Sequence, residues 1–334
     1  MKRKILKFLK ISFFILAAFF VLVSILPYLL PVNQHKVDTK KPPFAESKFL
    51  KIDGKSWHYR VFEPKDSIRG TMLLVHGFSG STFSWRKNQE VFADSGYRVI
   101  SVDLPAFGFS EKENNAFDHS SNAHAGNIWK LVDSIAPDNE KIILLGHSMG
   151  AGIAWDMAGL NPERTAHVFL VDGAGNMGKS GKKSMGSSIL SFFCCYPPFL
   201  RWVDVIAGAY YFKQEKFEDL LSSAYGQKPD KASAAGYLRP FMLKNSGRAV
   251  IEGFLYSKKG PNINYKAIKC PVQLIWGKND QWVPLSVGES FIKKLPAAKL
   301  EKFEGAGHCP METNSEEFNS LIIKAIESKE TKAE

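Results

Sequence analysis

Five short apolar runs constrain the fold more than any other feature of this chain: TMLLV (71–75), RVISV (98–102), KIILL (141–145), HVFLV (167–171) and VQLIW (272–276). Runs of this length that do not alternate with polar residues belong to strands covered on both faces. Helical stretches separate them, at roughly 84–95, 120–135, 149–160 and 285–295. Phe49 to Phe62 reads as two short strands around Asp53-Gly54, and a strand near 299–303 with a helix near 315–327 closes the domain. Strands alternating with helices predict a mostly parallel, doubly wound α/β sheet with helices on both faces. One interval breaks the rhythm. About a hundred residues separate Val171 from Val272, far more than a crossover needs. Residues 175–262 are therefore expected to form an inserted helical cap on a core of 48–174 and 263–327, with 328–334 a charged tail.

The N-terminus carries a different signal. Residues 11–30, ISFFILAAFFVLVSILPYLL, hold no charge over 20 positions, enough to cross a bilayer core as a helix. A cleaved signal peptide would have a shorter apolar region and a small-residue cleavage site, which this stretch lacks. An uncleaved transmembrane signal anchor is expected. Residues 1–10 form its basic flank, with Lys2, Arg3, Lys4, Lys7 and Lys10, against Lys36, Lys40 and Lys41 beyond the span. That bias predicts a cytoplasmic N-terminus and a large folded domain on the extracytoplasmic side. The polar, proline-bearing residues 31–47 have the composition of a linker.

The net charge of +11 looks like a nucleic-acid signal until it is apportioned. Residues 1–47 carry six more basic than acidic side chains and residues 175–262 seven more, while the remainder carries two more acidic ones. A basic anchor and a basic cap on a nearly neutral core fit an anionic lipid surface better than a phosphate-lined groove. A membrane partner is expected through 11–30 and through the cap, and no nucleic acid. Cys194 and Cys195 are adjacent and Cys270 and Cys309 lie in separate segments, with no metal-ligand spacing, so neither zinc nor a disulfide framework is indicated.

Chemistry concentrates after the strand 141–145. Ser148 stands in Gly146-His147-Ser148-Met149-Gly150, directly before a helix-forming run, the context of a nucleophile elbow. A serine hydroxyl needs a base, and the base an orienting carboxylate. Two histidines follow Ser148. His167 opens a buried strand, whereas His308 lies in the loop Gly305-Ala306-Gly307-His308. Asp172 and Asp280 each stand just past a strand's C-terminal end, where open α/β sheets place their sites. Asp280 gives the chain order Ser, Asp, His; Asp172 is the alternative acid.

Together, His76-Gly77-Phe78 after one strand, Asp103-Leu104-Pro105-Ala106-Phe107-Gly108-Phe109-Ser110 after the next, the GHSMG elbow, Asp280 in WGKND and Gly307-His308 resemble the α/β-hydrolase superfamily over about 48–327. The resemblance implies a Ser148, Asp280, His308 triad and an oxyanion hole from the backbone N–H groups of Phe78 and Met149. It implies that His76 orients the oxyanion loop and that Asp103 is a turn residue. Epoxide hydrolases and haloalkane dehalogenases of this fold carry aspartate where Ser148 stands, and proline iminopeptidases resemble HGGPG where this chain has HGFSG; both activities lose weight.

A rival motif follows the next strand. Gly173 to Ser180 satisfies the phosphate-loop pattern G-x-x-x-x-G-K-S, but glycines at 181 and 186 spoil the helix that such a loop must open. A nucleotide-binding protein is thus the distant alternative, and a tethered binding protein with an inactive hydrolase fold is weakened by the intact triad. The leading expectation is carboxylic-ester hydrolysis without metal or organic cofactor, on lipid-like esters such as monoacylglycerols, similar to membrane-anchored esterases and monoacylglycerol-lipase-type hydrolases. Hydrolysis of C–C, thioester or amide bonds and perhydrolysis use similar triads. Phe192, Phe193, Tyr196, Phe199 and Trp202 in the cap are the expected acyl-pocket residues.

Overall fold

The computed structural model describes residues 2–32, 41–112, 117–175, 193–255 and 263–333. Among them, eight strands form one sheet in the order β1-β2-β4-β3-β5-β6-β7-β8. The strands are β1 Ser47–Ile52, β2 Lys55–Phe62, β3 Gly70–Val75, β4 Tyr97–Val102, β5 Ile142–His147, β6 Thr165–Val171, β7 Val272–Gly277 and β8 Lys299–Phe303. β1 and β2 form an antiparallel hairpin, β2 joins β4 antiparallel, and every pairing from β4 to β8 is parallel. The hairpin turns on Asp53 and Gly54, both at positive φ (48° and 80°), the conformation that makes Asp-Gly a hairpin signal.

The doubly wound architecture expected from the apolar runs is the one adopted. In β3, Leu73 and Val75 enter one hydrophobic cluster while Met72 and Leu74 enter another on the opposite face. The first cluster is covered by α3 (Ser121–Asp133), α4 (Met149–Leu160) and α9 (Leu285–Ile292). The second is covered by α2 (Gln89–Asp94) and α11 (Ser315–Ala333). Burying a large apolar side chain contributes about 1.5–3 kcal/mol, and strands clothed on both faces gather most of it. The helix expected over 84–95 is split into a 3-10 turn at Thr82–Trp85 and α2, because Asn88 turns inward to Met311 and Asn319.

Between β6 and β7 lie α5 (Pro197–Ile206), a π-helical turn (Ala207–Tyr211), α6 (Gln214–Tyr225), α7 (Lys231–Leu238) and α8 (Ser246–Leu255). Phe217, Leu221, Ala224 and Tyr225 of α6 join the second core cluster, so this insertion is packed onto the sheet domain. At the N-terminus, α1 (Lys2–Leu29) is long and apolar enough to cross a membrane. The ordered domain begins before Lys48: Arg60 lies over the Phe44 ring at 4.2 Å, and Arg239 donates to the Pro43 carbonyl at 2.9 Å. The second half of the expected linker is therefore packed against the core.

Candidate active site

Ser148 sits between β5 and α4 with φ 52° and ψ −115°, a conformation that costs a non-glycine residue of order 1–3 kcal/mol. It is enforced by close backbone approach on both sides. A side chain at Gly146 would lie 2.2 Å from the Gly150 carbonyl oxygen, and one at Gly150 would lie 2.3 Å from that of Val75. The Ser148 N–H donates to Val171 O at 2.8 Å, tying the turn to β6. Met149 is the first residue of α4, so its N–H belongs to the helix end that has no intrahelical acceptors.

His308 reaches the same place from the loop after β8. Its Nδ1 lies 2.8 Å from Asp280 Oδ2, and Asp280 Oδ1 accepts the N–H groups of Trp282 and Val283 at 2.8 and 3.0 Å. A carboxylate on Nδ1–H fixes the tautomer that leaves the Nε2 lone pair for a hydroxyl. Ser148, His308, Phe78 and Trp282 line one pocket of about 100 Å³. The neighbouring imidazole of His147 stays neutral, its pKa pushed well below the usual value by burial and by His308; its Nε2–H donates to the His308 carbonyl at 2.7 Å.

Asp172 stands behind this pair. It is fully buried, φ 44°, and its Oδ1 accepts the Gly277 N–H at 2.8 Å. Burial raises its pKa well above the carboxylate range, and Asp280 raises it further. Ligand atoms of Asp172, Asp280 and His308 lie within 4.8 Å of one another, the spacing of a metal site. The donor atoms are already engaged within the chain: His308 Nδ1 with Asp280 Oδ2, Asp280 Oδ1 with the N–H groups of Trp282 and Val283, and Asp172 Oδ1 with the Gly277 N–H, whereas metal ligands must be available.

The oxyanion-loop residues are organised from beneath. His76 Nδ1–H donates to Gly77 O at 2.7 Å and its Nε2 accepts the Leu104 N–H at 3.0 Å, leaving no ring nitrogen for catalysis. Asp103 is more than a turn residue. Fully buried, it accepts from His58 Nδ1 (2.7 Å) and from the N–H groups of Thr82 and Phe109 (both 2.6 Å). Burial alone would raise its pKa, but His58, His76 and the Phe109 N–H bring it down to about 2. His167 is buried in β6, stacked on Phe169.

The expected acyl-pocket residues are corrected by the structure. A second cavity, of about 500 Å³, adjoins the first through Phe78, Ser79 and Leu220. Its apolar wall comes from Val203, Ile206, Phe217, Phe241 and Val250, among others. Tyr196 and Trp202 instead contact the α1 helix, Phe199 packs with Cys194 and Leu200, and Phe193 is exposed against Phe199. The reason lies in the breadth of one face: α5 has a single broad apolar arc, with Trp202 at its edge meeting α1 while Val203 and Ile206 on the same arc line the cavity. Phe192 and the Lys179-Ser180 end of the phosphate-loop motif lie outside the described residues. Phe217 and Leu220 of α6 and Phe241 of the 3-10 turn Arg239–Met242 escaped sequence reasoning because two elements of the insertion, far from 192–202 in the chain, bring them to the cavity.

Comparison with known proteins agrees with this geometry. The Alpha/beta hydrolase family profile matches residues 72–321. The uncharacterized hydrolase YugF of Bacillus subtilis is 29% identical over 281 residues, 82% of this chain and 96% of that protein. A 2-hydroxy-6-oxononadienedioate/2-hydroxy-6-oxononatrienedioate hydrolase of Paraburkholderia phymatum is 27% identical over 292 residues, covering 84% and 95%. The crystal structure of a bacterial membrane phospholipase A superposes with a TM-score of 0.63 at 23% identity, covering 98% of this chain and 99% of that one. A meta-cleavage product hydrolase from Pseudomonas fluorescens superposes at 0.64 with 20% identity, covering 84% and 98%. At such identities these superpositions show the shared fold. The matched profile, spanning most of the sheet domain, settles the family: this chain belongs to the alpha/beta hydrolases.

Proposed function

We propose that this chain is a membrane-anchored serine hydrolase that cleaves carboxylic esters of lipid-like acyl groups, with its N-terminus cytoplasmic and the site on the opposite side. Ser148 Oγ attacks the ester carbonyl carbon while His308 Nε2 takes its proton, and Asp280 supports the imidazolium through Nδ1–H. The N–H groups of Phe78 and Met149 face the developing oxyanion; losing one such donor typically costs about 3 kcal/mol. The alcohol leaves with the proton from His308, and water activated by the same nitrogen releases the acid from Ser148.

The observation that carries the acyl preference is the junction of two cavities. The roughly 100 Å³ pocket holding Ser148 and His308 shares Phe78, Ser79 and Leu220 with the apolar cavity of about 500 Å³. A volume in that range is typical of small-molecule sites, and its lining favours hydrocarbon. A fluorophosphonate should label the wild type and fail on Ser148→Ala. Across a series of nitrophenyl esters, kcat/KM should rise from short to long acyl chains, and Leu220→Trp should lower it for long chains only. Labelling that survives Ser148→Ala, or fastest cleavage of acetyl esters, would refute the assignment.

Carbon–carbon bond hydrolysis is the second reading, favoured by the named activities of relatives such as the Paraburkholderia enzyme. That name specifies a dicarboxylate substrate, which calls for cationic partners. Among the residues lining the pocket and its adjoining cavity, Lys216 is the lone lysine or arginine. Turnover of a dienedioate substrate with efficiency above that of long-chain esters would favour this reading.

A further inference from the structure

The α1 helix and the cap meet along a polar seam that a proline and a helix end make necessary. In a helix the N–H of each residue bonds to the carbonyl four positions earlier. Pro27 has no N–H, so the carbonyl of Val23 loses its donor; the carbonyl of Pro27 lies in the last turn of α1, which ends at Leu29, and has no intrahelical donor either. Both are met from α5. Trp202 Nε1 donates to Val23 O at 2.9 Å and Arg201 Nε to Pro27 O at 3.1 Å. Arg201 Nη2 also reaches Leu30 O at 3.4 Å. The Tyr196 ring stacks on Phe20 with centroids 5.6 Å apart, and its hydroxyl pairs with that of Ser24.

The depth of the seam follows from helix geometry. Residues 11–30 span about 30 Å at 1.5 Å per residue, the thickness of a bilayer's hydrocarbon core. Val23 lies about 10 Å inside the Leu30 end of that span. An indole bonded there cannot stand above the membrane. Carbonyls without donors are costly in hydrocarbon, so satisfying them from α5 holds that helix against the anchor. The chain beyond α5 carries the matching surface: Tyr210 and Tyr211 are 67% and 63% exposed, next to exposed Ile206. Lys213 lies beside them, its Nζ 5.9 Å from the Tyr210 ring centroid. Exposed tyrosines with an adjoining lysine are the composition of a membrane interface.

We propose that α5 and the Ala207–Tyr211 turn are immersed in the interfacial layer of the bilayer leaflet on the catalytic side, alongside the anchor. The acyl cavity, walled by Val203, Ile206 and Ala207 of this same segment, then receives its chain directly from that leaflet. The second half rests on the ester-hydrolase reading; the immersion does not, and the two are tested separately.

The test uses the full chain in nanodiscs of phosphatidylcholine and phosphatidylglycerol. A fluorophore is placed at Tyr210→Cys in a Cys195→Ser background, with Lys299→Cys on the exposed edge strand β8 as the comparison. Nitroxide-bearing phospholipids should quench the label at 210 and spare the one at 299, and aqueous iodide should do the reverse. A label at 210 open to iodide and untouched by lipid nitroxide would overturn the immersion, whatever the enzyme's substrate. For the entry route, Tyr210→Asp should lower hydrolysis of long-chain esters dissolved in the nanodisc by about tenfold, a charge at the interface being disfavoured, while short water-soluble esters are cleaved as before. Equal losses on both ester classes, or none on either, would overturn the route. Failure of fluorophosphonate labelling in the unaltered chain would instead count against the hydrolase reading.

Discussion

The backbone N–H of His308 donates to the carbonyl of Ala224 at 2.6 Å, so the candidate base is held by the cap as well as by Asp280. Ala224 lies in the last turn of α6, where carbonyls lack intrahelical donors. His308 fills one of them. The cap therefore helps to set the imidazole's position.

A buried carboxylate fastens the same junction. Glu312, in the short helix α10 (Pro310–Thr313), accepts from Tyr225 Oη at 2.7 Å and pairs with Tyr237 Oη and Arg86. Glu312→Ala removes the acceptor of the Tyr225 hydroxyl and the counter-charge of Arg86, which keeps only its neutral partners Phe83 O and Ser233 Oγ, and breaking a buried pair in this way costs about 3–5 kcal/mol. The expected result is a thermal melting point lowered by several degrees together with a reduced kcat. An unchanged melting point would show that the network is dispensable.

The two acids behind His308 should respond differently. Asp280→Asn removes the charge that supports the imidazolium and should lower kcat by about a thousandfold or more with little change in KM. Burial pushes the Asp172 pKa well up, favouring its neutral form, and its side chain does not bond His308, so Asp172→Asn should stay within a few-fold of wild type. Steady-state kinetics of the two variants decide this, and the reverse ranking would make Asp172 the triad acid.

The proline-freed carbonyl of Val23 allows a rescue experiment. Trp202→Phe leaves that oxygen without a donor, which costs about 1–3 kcal/mol. Adding Pro27→Ala restores an N–H four residues on and should recover the lost stability. Thermal melting in nanodiscs of the two single variants and the double variant measures the coupling; strictly additive effects would refute the account.

Lys112 supplies a pH signature. It is buried, its Nζ donates to Ala106 O at 3.1 Å, and burial lowers its pKa to about 7, with Asp103 opposing the shift. The unfolded chain holds this proton up to about pH 10.4, so between these values the unfolded state binds more protons and this residue makes stability rise with pH. Below pH 7 both states are protonated and the slope vanishes. Lys112→Met should flatten the difference in denaturant midpoint between pH 7 and pH 9 relative to wild type.

The sheet and the elbow were legible because their requirements are local. A strand covered on both faces must be apolar throughout, and a backbone approach of 2.2 Å at Gly146 admits only glycine. His308 and Asp280 were legible from their places after strands. The apolar cavity was not. The aromatic density at 192–202 pointed to the right helix but not to the residues that line the cavity, since one broad apolar face serves two neighbours and sequence does not say which residue meets which. Nor did composition reveal that Pro27 and Trp202 answer one another, because the two are far apart in the chain and the complementarity is between a missing N–H and an indole.

Trp202 and Val203 are consecutive in the chain, one bonded to α1 and the other lining the apolar cavity. The N-terminal helix in this sense braces a wall of that cavity and is not a leash attached to a finished enzyme. Cutting the chain at the start of the sheet domain deprives an indole, a guanidinium and a stacked phenol of their partners in α1. Rates measured on such a fragment report an enzyme whose cavity wall has lost its brace.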